Sequence, residues 1–221
     1  MSAPSPAKGA PQRVVLDGRY ARLEPLAQHH AADLHAAATV PDAAQRFAYL
    51  PVYPPESAEA LKDWIAGQQG LSDPILFAVV DKASGRAGGW QQLMRIVPEH
   101  GVIEIGYVYW GPKLARTRVA TEALYLHARY IFEDLGYRRF EWKCNDRNEP
   151  SKAAARRFGF IFEGVFRQHM IAKGQNRDTA WFAMLDGDWP RLRAEYERWL
   201  DPANFDTNGL QKTPLRFASE P

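Results

Sequence analysis

From position 101 to position 145 the chain reads GVIEIGYVYW, GPKLARTRVA, TEALYLHARYIFEDLG and YRRFEWKCN in succession. The first and last runs have strand length and are rich in β-branched and aromatic residues, whereas the third carries apolar residues at helical spacing with no breaker before Gly136. Two strands joined through a helix cannot close as a hairpin. The connection must cross over, and the strands it joins run parallel as neighbours in one sheet. Every other element has to be arranged around that unit.

The flanking sequence supplies strands that pair by short turns. Residues 13–26 form two extended runs broken at Asp17-Gly18, a dipeptide suited to a tight turn. Helical patterns at 29–40 and 56–70 are separated by a stretch in which Pro51, Pro54 and Pro55 stop helices and Phe47, Tyr49 and Tyr53 cluster. Strand patterns follow at 75–81 and 85–97 around an ASGR turn, and again at 160–170 and 177–186 around KGQN; a short helix is expected at 149–159 and a last one at 188–200. The expected fold is α/β of the α+β type, with a mixed, mostly antiparallel sheet of six or seven strands and flanking helices. A parallel pair inside such a sheet splays unless something pins it, and the loop at 110–117 opens at that cleft.

Length and composition set the outer limits. With 221 residues the chain has room for one core. Residues 1–12, rich in Pro, Ala and Ser, read as a flexible tail, 13–186 as the domain, and 187–221 as a C-terminal helix and tail. Lone Cys144 excludes an internal disulfide, and no apolar run approaches the roughly 18 residues of a membrane span, so a cytoplasmic location is expected. A net charge of +2 without interleaved bases and aromatics gives no nucleic-acid surface. The histidines have no metal-ligand spacing, so no metal is expected. Cys144 alternates with Phe140 and Trp142 and reads as packing.

The loop poured into the long helix carries the chemistry. A helix N-terminus offers unpaired N–H groups and partial positive charge, both suited to phosphate. ARTRVATEA adds two arginines and the hydroxyls of Thr117 and Thr121, without the glycines of a Walker loop or a dinucleotide fingerprint. Taken alone, the same residues also describe an exposed helix cap with solvated arginines.

The runs IEIGYVYWGPKLARTRVATEAL, LGYRRFEWKCNDRNEPSKAAARRFGFIFEGVFR and DTAWFAMLDGDWP resemble the GNAT superfamily of acyl-CoA-dependent N-acetyltransferases, in the branch similar to RimJ/RimL ribosomal-protein acetyltransferases. The resemblance implies acetyl-CoA as cosubstrate, a small-molecule or peptide amine as acceptor, and no metal, membrane or nucleic-acid partner; self-association as a homodimer stays open. It implies that Arg116, Thr117, Arg118, Val119, Ala120 and Thr121 cradle the coenzyme A pyrophosphate. Ala115 and Arg118 stand where the family usually has a polar residue and a glycine. Tyr107, Val108 and Tyr109 would pair with the pantetheine arm, with the Val108 N–H toward the acetyl carbonyl and on the face of Glu104. Glu104 would take the amine proton, against the alternative of a solvated strand carboxylate. A tyrosine that serves many relatives as acid is replaced by Ala155, and Asn148 and Ser151 match the branch's substitutes. Both residues also suit a helix cap. Tyr49 and Tyr53, with the turn in QHMIAKGQNR, are expected on the acceptor side. The rival reading is a non-catalytic CoA-binding or interaction module on the same fold.

Overall fold

The computed structural model, which describes residues 5–217, opens with a hairpin of β1 (Leu16–Asp17) and β2 (Ala21–Pro25). Helices α1 (Ala31–Ala38), α2 (Ala43–Arg46) and α3 (Ala58–Gln68) follow. Then come β3 (Ile75–Asp81), β4 (Arg86–Val97) and β5 (Val102–Trp110). Helix α4 (Arg118–Arg129) leads to β6 (Arg139–Asn145), and α5 (Glu149–Arg157) leads to β7 (Ile161–Ala172), β8 (Gln175–Leu185) and α6 (Trp189–Leu200). All strands join one sheet in the order β1-β2-β3-β4-β5-β6-β8-β7, and β5 and β6 are its parallel pair. The sheet is mixed and mostly antiparallel, as expected. It has eight strands instead of six or seven because both arms of the opening hairpin join it.

Each sheet face has its own apolar core. Ile103 and Ile105 of β5 and Phe140 and Trp142 of β6 pack under α4 and α6. Ala78, Val80, Trp90 and Tyr109 pack under α1 and α3, with Leu34, Leu61 and Ile65 from the helices. The hairpin is tied to α4 by Glu122, whose buried carboxylate accepts from the N–H groups of Arg19 at 2.9 Å, Tyr20 at 2.5 Å and Ala21 at 2.6 Å. A Cβ on Gly18 would stand 2.6 Å from that carboxylate, so the turn takes glycine for lack of space.

The expectation of a flexible N-terminal tail needs correction. Of the stretch read as a flexible tail, residues 1–4 lie outside the described residues, and 7–12 are fastened to the body. Ala7 N–H donates to Pro98 O, Lys8 N–H to Leu135 O, and Gln12 N–H to the Tyr130 hydroxyl, each at 2.9 Å. The C-terminal stretch is part of the first core: Leu215 is buried in it, and Phe205 meets Trp199 at 5.1 Å between ring centroids. Composition marked residues 1–12 as loose because they are rich in Pro, Ala and Ser, but Ala7 and Lys8 are held against the body.

Candidate active site

The β5–β6 ladder pairs Val102 with Arg139 and ends at Ile105 with Trp142. Beyond it, β5 stays on β4 through Trp110 and β6 stays on β8 through Asn145, so the two inner edges part. A bulge in the β4–β5 ladder, with Tyr107 at φ +50°, drives the divergence. A Cβ on neighbouring Gly106 would lie 2.6 Å from the Met94 sulfur, so a larger residue there would require the Met94 side chain to move. The bulge also resets the alternation of side chains. Val108 and Trp110 pack with Ile103 and Ile105 on the α4 face, while Tyr107 and Tyr109 face α1 and α3. Val108 is therefore not on the face of Glu104; a simple period of two misses the extra residue. Burial pushes the Tyr109 phenol up to about 12 and raises that of Tyr107 as well.

Glu104 is no solvated strand carboxylate. Its side chain is 4% exposed, and Oε2 receives Arg95 Nη1 at 2.5 Å and Lys143 Nζ at 2.9 Å. Lys143, equally buried, also contacts Glu141 Oε2 at 2.6 Å and lies 3.8 Å from the centre of the Trp181 ring. Glu104 and Glu141 are register partners across the parallel ladder, where facing like charges repel, so the lysine ammonium between them is what makes the pair tolerable. Arg139 continues the chain of charges to Glu141 at 2.6 Å and to Glu163. Oε1 of Glu104 has no protein hydrogen bond among the described residues.

The loop delivers less side chain and more backbone than expected. Arg116 sits at φ +64°, and Thr117 is the α4 N-cap, its hydroxyl accepting from Ala120 N–H at 3.4 Å and donating to Leu114 O at 2.6 Å. The Thr121 hydroxyl is not free for a phosphate. It is buried, donates to Thr117 O at 3.2 Å, and accepts from Arg157 Nη1 at 3.2 Å. Ala120 is likewise buried. With Ala120 N–H capped, the N–H groups of Arg118 and Val119 at the start of the helix have no acceptor among the described residues. Arg157 is a neighbour of this first turn that the linear sequence does not reveal, because it arrives from α5.

At the other side of the splay, Asn148 and not Ser151 caps α5. Its Oδ1 accepts from Ser151 N–H at 3.2 Å. The Ser151 hydroxyl accepts from Trp142 Nε1 at 3.0 Å and interacts with the thiol of Cys144, which burial holds above its ordinary range. Tyr49 donates its hydroxyl to Arg147 O at 3.2 Å, bridging the aromatic segment to the β6–α5 loop. Tyr53, 71% exposed, lies 4.3 Å below Lys173 Nζ, which also bonds Phe47 O at 2.9 Å. The tip of the β7–β8 hairpin thus reaches the aromatic segment. Beneath that segment is a cavity of about 220 Å³, lined by Phe47, Tyr53, Trp64, Trp90 and Tyr107 among others.

Residues 21–161 match the family model described as an acetyltransferase (GNAT) domain. A GCN5-related N-acetyltransferase from Brucella melitensis shares 53% identity over 96% of both chains, with a TM-score of 0.92. The chain belongs to the GNAT acetyltransferase family. A probable acetyltransferase (GNAT family) from Chromobacterium violaceum is 42% identical over 86% of this chain and 94% of its own, at a TM-score of 0.78. At 20% identity, with coverage of 78% and 99% and a TM-score of 0.66, an acetyltransferase from Salmonella typhimurium that modifies the N-terminal serine of ribosomal protein L7/L12 shares the fold. No curated protein sequence matches the chain.

For a GNAT loop, an arginine at 118 in place of the usual glycine poses a steric question, and the fold answers it. The Arg118 guanidinium is turned away from the helix mouth, stacked 4.3 Å from the Tyr20 ring centre and 5.2 Å from that of Phe205. The opening hairpin and the C-terminal segment thereby hold the side chain that a glycine would lack. Among the described residues the one metal-like grouping is Glu24, His29 and His30, and it does not fit an ion. His30 Nδ1 accepts from Ala27 N–H at 3.1 Å, so Nε2 carries the proton and donates to Glu24 at 3.0 Å. Arg22 holds the same carboxylate at 2.5 Å. Among the described residues no helix is long and apolar enough to cross a membrane.

Proposed function

We propose that this GNAT chain transfers an acetyl group from acetyl-CoA to a primary amine by direct attack in a ternary complex, in the manner of the RimJ/RimL-like branch. The observation that carries the reading is the opening between β5 and β6 that leads onto the uncapped N–H groups of Arg118 and Val119. The free inner edge of β5 suits an extended, amide-bearing arm that pairs as an added strand, and the start of α4 suits a diphosphate. Bound there, acetyl-CoA supplies an activated acyl carbon.

The chain's own residues then divide the work. Backbone N–H at Val108 polarises the acyl carbonyl; this role is independent of the face its side chain takes. Glu104 accepts the amine proton at Oε1, directly or through a water, while Arg95 and Lys143 hold Oε2 and fix the carboxylate. Ser151 donates toward the departing thiolate from a hydroxyl positioned by Trp142, and the Asn148 amide N–H, unpartnered among the described residues, supports the same region. Tyr49 and Tyr53 flank the acceptor.

Acetyl-CoA at about 100 times its Kd should stabilise the protein by roughly 2.7 kcal/mol, seen as a raised Tm. An unchanged Tm at millimolar acetyl-CoA would remove the basis of the reading. A raised Tm without thiol release on any amine of a broad panel favours a non-catalytic CoA-binding module.

A further inference from the structure

On the sheet face opposite α4 a row of side-chain charges pairs off among the described residues. Arg95, Lys143 and Arg139 are matched by Glu104, Glu141 and Glu163 in a continuous chain of ion pairs. Arg177 stands outside it. This residue begins the same row of β8 that carries Thr179 and Trp181 toward Asn145 and Lys143, and the neutral thiol of Cys144, then Glu104 and Arg95, lie within its electrostatic range. Its Nε is fully buried without a hydrogen-bond partner, and the guanidinium has no ion pair among the described residues. The other groups facing it are cationic or neutral: Arg95, Lys143, and His169, whose ring burial and those cations keep below its ordinary pKa and whose Nδ1 meets Thr179 Oγ1 at 3.0 Å. A half-buried cation in excess of its neighbours calls for an anion from outside.

The cavity beneath the aromatic segment lies on the same face. Its volume of about 220 Å³ is below the roughly 300–1,000 Å³ of sites for whole drug-sized ligands, and suits one large apolar side chain. Tyr107 connects the two features, since it lines the cavity and follows Glu104 closely on β5. Lys173, on the hairpin that carries Arg177, contacts the cavity wall at Phe47 and Tyr53.

We propose that the acceptor is an α-amino acid with a large apolar side chain, its carboxylate paired with Arg177 and its side chain in the cavity of Phe47, Trp64, Trp90 and Tyr107. The inference rests on the amine-acetyltransferase reading and narrows it. One anion and one apolar group on either side of the nitrogen leave the amine at the mouth of the splay, near Glu104. A peptide N-terminus, which has an amide where the free amino acid has a carboxylate, leaves Arg177 without its counter-charge.

The test uses the full chain, saturating acetyl-CoA and thiol release with three probes: L-phenylalanine, L-phenylalaninamide and 2-phenylethylamine. The expected kcat/KM for L-phenylalanine exceeds that of the other two by at least about 10-fold, the size of one good charge-assisted contact. Arg177→Gln should collapse that preference by a similar factor and Arg177→Lys should recover part of it. If the variants do not fold, the ranking by the parent protein decides alone. Equal or better use of the amide or the decarboxylated amine overturns the proposal. So does turnover of none of the three while acetyl-CoA still raises the Tm, a result that leaves the broader reading standing. Absence of any acetyl-CoA effect removes both.

Discussion

Glu104 and Ser151 were each open to a catalytic and a structural role, and in the folded chain each has structural partners that any mutation will disturb. Glu104→Gln keeps the shape and leaves Lys143 paired with Glu141, so its main expected effect is a fall in kcat of about 10²-fold at nearly unchanged Tm. If kcat holds while Tm falls, Glu104 serves only the ion-pair chain. Lys143→Met is the converse experiment. It leaves two buried carboxylates facing each other in register, and a cost of about 3–5 kcal/mol in chemical unfolding is expected. For Ser151→Ala the indole N–H of Trp142 loses its acceptor, at about 1–3 kcal/mol. Turnover per folded molecule should also drop by roughly 10²-fold if the hydroxyl serves the leaving group. Normal turnover in a destabilised protein would confine Ser151 to packing.

At the scale of elements, α4 is held from both ends of the chain, and this decides what its N-terminus presents. Glu122 gathers three N–H groups of the hairpin turn, so Glu122→Ala should orphan all of them and cost about 3 kcal/mol or more by denaturant titration. A loss under 1 kcal/mol would mean that water reaches the turn readily. Arg118 is expected to act differently from a phosphate-gripping arginine. Because its guanidinium stacks on Tyr20 and Phe205, Arg118→Ala should cost about 1 kcal/mol of stability and change the Kd for acetyl-CoA by less than about three-fold in calorimetry. A Kd raised more than about ten-fold would show the side chain leaving its stack to meet the ligand.

For the whole molecule, the pH dependence of stability has an identifiable internal source. His127 is fully buried in the first-core face of α4, with Nδ1 accepting from Gln91 Nε2 at 2.8 Å, and burial lowers its pKa to about 3. In the unfolded chain the ring titrates near 6.5. The native state thus refuses a proton that the unfolded state takes up. The associated stability is complete above about pH 6.5 and declines as the pH falls toward 3, by about 2 kcal/mol between pH 7.5 and 5. His127→Met should flatten this part of the profile, and the difference between parent and variant isolates His127 from His30 and His169, which burial also lowers. Parallel profiles would indicate that the buried ring takes up its proton without unfolding.

By itself the sequence determined most of the elements, the short α2 excepted, and the one topological fact on which the site depends. Helical and strand periodicities are local, and a helix between two strands forces a parallel neighbour whatever else the chain does. The loop at the start of α4 was legible for the same reason, since it lies in one continuous run from β5 through α4 to β6, and the GNAT resemblance adds local runs further along, through α5 to the start of α6. What the tertiary structure decided involves residues distant in sequence. One inserted residue in the β4–β5 ladder moved Val108 to the other face, which no period of two anticipates. Arg157 came to Thr121 from α5, Phe205 came to Arg118 from the C-terminal segment, and Lys143 came between Glu104 and Glu141 only because two strands paired in that register. Arg177 looked like any other charged residue beside a turn. Its excess charge appears only when its neighbours' charges are summed in space, because electrostatic balance belongs to a surface and not to a stretch of chain.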